Sequence, residues 1–289
     1  MKLLALVLLL AAFSSPTLTE VVGSFQQSCP NFFIRNPANQ NQIIVPTVFS
    51  GRQYQKICQR LENNYRFATV YDTVRRIPVY SAYTFIKFVN TERFDWKIEP
   101  QLENIPEYKD IRYMIDSPRD PGNIRNQAVD SDYVGRGNYT RGHVFPNSYA
   151  ADQDQANSTF TLTNIAPQNQ SDNGEWERQV EKKMLRHLRD VCRLDQNHPA
   201  YIVTGVVPGD QWLPITRNNA RYPNGINIPS HYWSAFCCTN KKNIKERKSK
   251  AYIAEMGNFS VREPSLDNLN RRLTSLYGQS FSVFPGLHC

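Results

Sequence analysis

No stretch of the 289-residue sequence stays apolar for the roughly twenty residues that a membrane-spanning helix requires. The run Leu3–Phe13 is eleven residues long, follows the positive charge of Lys2, and gives way to small and polar residues. That pattern reads as a secretory signal peptide over residues 1–19, with cleavage expected near Thr19 and no membrane association. There is no Cys-x-x-Cys pair, so the usual spacing of a zinc site is missing. No cluster of carboxylates suggests an all-acid metal cage. Internal repeats, low-complexity runs and long Pro/Gly/Ser linkers are also missing, so one domain over 20–289 is the expected organisation. Histidine is scarce, with five in the chain, which makes the setting of each one informative.

What is present fits an exported protein. Six cysteines, Cys29, Cys58, Cys192, Cys237, Cys238 and Cys289, are an even count and suggest three disulfides. Cys237 and Cys238 are adjacent, so on a strand they point to opposite faces and each needs its own partner. Four glycosylation sequons begin at Asn138, Asn157, Asn169 and Asn258. The formal charge is +8, from 34 basic and 26 acidic residues. Such a surface attracts polyanions, among them nucleic acid, heparin-like sugars and anionic lipid.

Periodicity outlines the elements. Residues 55–66 predict a short helix, and 77–89, rich in β-branched and aromatic residues, a strand. Residues 97–140 are polar and loop-like, too long for an idle connector. A weak strand is expected over 159–166. The strongest helix signal runs over 174–192, where Trp176, Val180, Met184, Leu188 and Val191 form one stripe and Asp172 or Asn173 can cap. Further strands are expected at 201–207, 231–238 and 251–256, and a helix at 264–277. Helices and strands mix without βαβ alternation, which predicts an α+β fold with a mostly antiparallel central sheet and flanking helices.

Four histidines have bland settings: His187 on a helix face, His198 in a loop, His231 at the start of a strand and His288 at the C-terminus. His143 differs, because Arg141 and Gly142 precede it. Asn164-Ile-Ala-Pro-Gln168 follows, then Asn173, with Glu177 and Glu181 four and eight residues further on. A helix puts those three on one face. Upstream, Arg93 stands near Trp96. The expected role of Trp96 and Trp176 is core packing.

Arg-Gly-His, then Asn-x-x-Pro-Gln, then Asn nine residues after the first Asn, is a pattern that resembles the DNA/RNA non-specific endonucleases of the ββα-metal (His-Me finger) class. The chain is most similar to their secreted animal branch, the endonuclease domain-containing 1 proteins. The resemblance spans roughly residues 25–289. It implies a ββα-metal finger in which a strand pair carries His143 and a helix opens at Asn173. It implies His143 as general base, Asn173 as the direct protein ligand of Mg²⁺ (or Mn²⁺), and Glu181 as holder of metal-bound water. Arg141 and Arg93 would contact phosphate, and Asn164 would support the site. DNA and RNA would be the substrates, cut without sequence specificity, and no obligate protein partner is implied.

The chemistry suits the residues. A hard divalent ion neutralises phosphoryl charge through oxygen ligands. A histidine of near-neutral pKa takes a proton from attacking water. Arginine forks match phosphate. The sequence departs from the family pattern at three points. Thr140 replaces an Asp before Arg-Gly-His, Trp176 follows Asn173 by three residues where the family has four, and the Asn138 sequon lies five residues before His143. Glu177 therefore stays an alternative to Glu181, and Asp172 to Asn173. Two rival functions remain open: a secreted polyanion-binding protein of the same fold without turnover, and hydrolysis of another phosphoester.

Overall fold

The computed structural model describes residues 20–87, 92 and 94–289. The expected signal peptide, Arg93 and the end of the 77–89 strand lie outside the described residues. The chain opens with α1 (Phe25–Ser28), then β1 (Ile34–Asn36), β2 (Asn39–Ile44), β3 (Tyr54–Leu61), β4 (Asn64–Asp72) and β5 (Ile77–Phe85). A long irregular stretch carries β6 (Lys97–Ile98) and β7 (Ile115–Asp116) and leads to β8 (Tyr139–His143). After α2 (Gln153–Ser158) come β9 (Ile165–Asn169), α3 (Gln170–Trp176), a π-helical turn (Glu177–Glu181) and α4 (Lys182–Val191). The remainder is β10 (Ala200–Arg217), β11 (Ala220–Thr239), β12 (Arg247–Glu255), β13 (Ser260–Arg262) and α5 (Leu266–Tyr277).

Seven strands form the central sheet in the order β13-β12-β11-β10-β5-β4-β3, and every neighbouring pair is antiparallel. The expected α+β architecture is therefore the observed one. Both faces of the sheet are covered, which is why its central strands are apolar on both sides. On β11, Tyr232, Phe236 and Cys238 join a cluster with Trp176, Val180, Met184 and Leu188 of the long helix. The alternate residues Trp233, Ala235 and Cys237 join a cluster with Leu269 and Leu273 of α5 on the other face. The adjacent cysteines follow the same alternation: Cys238 bonds Cys192, Cys237 bonds Cys289, and Cys29 bonds Cys58.

One element differs in kind from expectation. Residues 55–66 are not a helix but the end-to-end pair β3 and β4, joined by a turn in which Glu62 takes a φ of 54°. Gln, Arg, Lys and Leu favour a helix locally, but long-range pairing overrides that preference. Cys58 is held to Cys29, its N–H donates to the Glu20 carbonyl, and Gln59 is buried with its amide on Thr69 and Thr163. Residues 159–166 also differ: Leu162–Asn164 form a 3-10 turn, and the strand begins at Ile165. The 97–140 stretch is largely irregular, as expected, and is pinned from inside. The Arg217 guanidinium, 1% exposed, spans both carboxylate oxygens of Asp132 at 2.7 Å and donates to the Ile124 carbonyl.

Candidate active site

β8 and β9 pair antiparallel, with Arg141 opposite Pro167, Gly142 opposite Ala166 and His143 opposite Ile165. The long helix starts directly after β9, which completes a strand–strand–helix unit. Alternation puts Arg141 and His143 on one face of the pair and Gly142 on the other. The Gly142 face lies against β11. A Cβ at Gly142 would come within 2.5 Å of Gln168 Oε1 and 2.7 Å of the Tyr232 hydroxyl oxygen. Tyr232 itself donates to the Ala166 carbonyl at 3.0 Å. Glycine is needed here for close approach, because nothing larger fits between the strand pair and the sheet.

Asn164 fastens the chain just beyond His143. Its Oδ1 accepts from the Phe145 N–H and the Ser81 hydroxyl, each at 2.9 Å. Its Nδ2 donates to the Phe145 and Thr159 carbonyls, each at 3.0 Å, and its own carbonyl accepts from the Val144 N–H. The residue is fully buried with all of its amide bonding used inside the protein. That fits a supporting role and leaves it nothing to offer a substrate.

The His143 imidazole packs edge-on to Phe160, with ring centroids 4.9 Å apart, and lies 5.6 Å from the Trp96 indole. Trp96 also stacks on Arg141, whose guanidinium lies 5.2 Å from the indole centroid and 5.3 Å from the Tyr133 ring. Trp96 is therefore a wall of the site as well as a packing residue, which corrects the expectation of core packing alone. Trp176, fully buried in the core, meets that expectation. Arg141 donates to the Asp130 carbonyl at 2.9 Å and forms an ion pair with the Asp130 carboxylate at 2.5 Å. Phe160, Tyr133 and Asp130 carry no local sequence signal, since only the fold brings them to the strand pair.

The helix begins earlier than expected. It opens at Gln170, not at 174, and its cap is Asn169, whose side chain accepts from the Ser171 N–H. Asn173 therefore sits inside the first turns rather than at the cap, half-buried where α3 packs against β8 and β9. Capping uses Asn169, so the Asn173 amide is left available. Asp172, the alternative ligand, is buried and accepts from the Gly257 N–H at 2.7 Å.

A π-helical turn resolves the spacing of Trp176. Five residues separate Trp176 from Glu181, and a regular helix would put them roughly 140° apart. A π turn makes residues five apart near neighbours. The Trp176 indole N–H accordingly donates to the Glu181 carboxyl. The Tyr149 hydroxyl donates to the Glu181 carbonyl at 2.5 Å. Burial, then the nearby Glu177 carboxylate, pushes the Glu181 carboxyl up to about 8. Glu177, the alternative, is exposed and pairs with Lys182 at 2.8 Å.

Of the sequence candidates, His143 and Arg141 lie on the strand pair and Asn164 directly before its second strand, Asn173 lies in the first turns of the helix packed on it, and Glu181 lies two turns further along. Among the described residues no group of three His, Cys, Asp or Glu side chains is placed to hold a metal. A metal at this unit would rely on an amide oxygen and water, a donor set that suits Mg²⁺ or Mn²⁺. The available Asn173 amide, with Asp172 and Glu177 committed elsewhere, fits such a group.

A sequence profile of the DNA/RNA non-specific endonuclease family matches residues 47–277. The chain is 34% identical over 198 residues to endonuclease domain-containing 1 protein of Homo sapiens, covering 67% of this chain and 36% of that protein. It is 28% identical over 215 residues to the Mus musculus protein of the same name, covering 73% of this chain and 38% of that one. The chain thus spans a little over a third of the length of these relatives. A chain in a crystal structure of the EndoG/EndoGI complex superposes with a TM-score of 0.45 at 15% identity, covering 73% of this chain and 82% of that chain.

Proposed function

Because this chain belongs to the DNA/RNA non-specific endonuclease family, we propose that it is a secreted, metal-dependent nuclease that hydrolyses phosphodiester bonds of DNA and RNA without sequence specificity. The observation that carries this reading is the strand pair itself. His143 packs beside Phe160 and Trp96 and next to Arg141, directly before the segment that Asn164 fastens, on the strand pair against which the helix carrying Asn173 packs.

In this reading His143 takes the proton from the attacking water. Phe160 and Trp96 pack against the imidazole, which lessens the ordering left to be done in the transition state. Arg141 offers its guanidinium to the phosphodiester, and the Trp96 and Tyr133 faces hold it in place. Arg93 would be a second phosphate contact. Asn173 would hold Mg²⁺ (or Mn²⁺) through its amide oxygen, and Glu181 would hold water belonging to that ion. When bound, the ion neutralises charge on the phosphoryl group and the leaving oxygen. In-line attack opposite the 3′ oxygen leaves 5′-phosphate and 3′-hydroxyl ends.

Secretion is supported by the N-terminal sequence and by three disulfides, which persist in oxidising compartments. Among the described residues no helix is long and apolar enough to cross a membrane. Residues 20–289 act in this reading as one catalytic domain with no obligate protein partner. Of the sequons, Asn138 and Asn258 are exposed and would carry glycans, whereas Asn169 is used as a helix cap.

The test is digestion of duplex DNA, single-stranded DNA and RNA by purified protein with Mg²⁺ or Mn²⁺, with and without EDTA. Wild type should degrade all three, and His143→Ala should be slower by at least ~10² to 10⁴-fold. Intact substrates with wild type would sink the enzyme reading. One observation favours the alternative of binding without turnover: the Asp130 carboxylate already occupies Arg141. Retention of DNA in a gel shift with no cleavage would establish that alternative.

A further inference from the structure

At the far end of the sheet, on the face opposite the strand pair, a cavity of about 200 Å³ opens between β1, the start of β10 and the β11–β12 junction. Arg35, Gln40, Asn197, His198, Tyr201 and Arg247 contribute to its walls. Arg247 pairs with Thr239 at the end of β11, seven residues from Tyr232, which meets the candidate active site. At the rise of an extended strand that is about 23 Å. Tyr201 belongs to the α5-side cluster, whereas Tyr232 belongs to the helix-side cluster, so the sheet separates the two sites.

The walls are cationic without compensation. Among the described residues, neither Arg35 nor Arg247 forms an ion pair with a carboxylate, and the buried Nη1 of Arg247 has no hydrogen-bond partner. Asp195, the acid beside His198, is already engaged, at 2.8 Å by both Arg193 and His198. Burial lowers the Arg247 pKa, and the group that opposes this is the phenol of Tyr201, not a carboxylate. A guanidinium nitrogen shut off from solvent with no acceptor is unfavourable, because it has lost water without gaining a partner. An anion in the cavity would supply the missing acceptor.

We propose that this cavity binds a phosphate group, as free orthophosphate or as the terminal phosphate of a monoester. Arg35 and Arg247 supply the two guanidinium forks, and Tyr201, Gln40 and Asn197 supply neutral polar groups around them. Paired forks match the several oxygens of a tetrahedral dianion better than they match a single carboxylate. The site is distinct from the proposed nuclease centre, and its existence does not require that centre to be active.

The experiment uses the full chain carrying His143→Ala, in EDTA, with orthophosphate or a nucleoside 5′-monophosphate as probe. Sodium chloride at equal ionic strength is the reference. Thermal unfolding and calorimetric titration are read together. Orthophosphate should raise Tm above the chloride reference, because a ligand bound only by the folded state stabilises it. Arg247→Met and Arg35→Met should each weaken binding at least tenfold, with unliganded Tm unchanged or raised. Tighter binding of the nucleotide would assign the monoester, and equal or weaker binding would assign free phosphate. A phosphate response no larger than that of chloride overturns the proposal. So does a response that survives in both arginine variants but is lost in Arg141→Ala, which would place the anion at the nuclease centre. A response to a sulfated oligosaccharide but not to phosphate overturns the phosphate assignment.

Discussion

The strand pair and the helix of the candidate site reach their geometry by opposite means. β8 and β9 are short and polar at their outer positions, and their shape is imposed by distant groups: Tyr232 and Ser81 from the sheet and Asp130 from the long loop. The helix is shaped from within, by an apolar stripe at helical spacing and a cap three residues before Asp172. The first should therefore fail when one distant contact is lost. The second should tolerate surface changes and respond only at the residues that face the site.

The largest effect is expected at Gly142. Gly142→Ala drives a methyl into Gln168 and Tyr232, and overpacking of this kind costs about 1–3 kcal/mol and shifts backbone. Displacement of His143 by even an ångström should lower the cleavage rate by ~10²-fold. Denaturant melts and initial rates on plasmid check both. Wild-type rates in the alanine variant would mean that the strand pair is not held by this contact.

Asn164→Ala comes next. It leaves the Phe145 N–H and two buried carbonyls without their partner, at a cost of about 1–3 kcal/mol for an unmet buried group. Activity should fall with stability, and the pH dependence of the remaining activity should keep its shape. A changed pH profile would instead assign Asn164 a direct part in the chemistry.

On the helix, Asn173→Ala should leave stability within about 0.5 kcal/mol, as for surface substitutions, yet shift the metal titration strongly. Glu177→Ala should leave the titration unchanged, since it loses only an exposed pair with Lys182. Equal titrations for wild type and Asn173→Ala would move the ligand elsewhere.

A further effect is expected on pH-dependent stability. The Glu181 carboxyl is raised to about 8, so the fold disfavours its charged form. The stability linked to its protonation is fully present below the unfolded-state carboxyl pKa and is lost as pH rises towards 8. In EDTA, wild type should lose stability relative to Glu181→Gln across that interval. Parallel curves for the two proteins would mean that the carboxyl is not buried as described. A divalent cation near the carboxyl would pull its pKa down and flatten the difference.

The same contrast explains which parts of the site were legible in the sequence. The helix stripe from Trp176 to Leu188 was readable because it depends on residues three and four apart. The π turn was not. It showed only as a Trp one residue out of place, because the gain comes from Glu181 meeting Trp176 and Tyr149 in the folded core. Residues 55–66 were misread for the related reason that β3 owes its state to Cys29, β4 and the Glu20–Val22 segment rather than to its own residues. Asp130 and Tyr133 stand eleven and eight residues before Arg141 and left no trace.

By itself the sequence determined the antiparallel α+β class and the separate partners of Cys237 and Cys238, and it marked His143, Arg141, Asn164 and Asn173 as candidates through their resemblance to a family motif. The first two follow from alternation and helical period, and the candidates from motif spacing, all of them local properties of the chain. Only the tertiary structure decided that Asn169 caps the helix and leaves Asn173 available. It alone placed Trp96 beside His143 and left Arg247 uncompensated in a cavity on the opposite face. Capping, caging and charge compensation depend on which distant group arrives at a given atom, and no periodicity in the chain encodes that arrival.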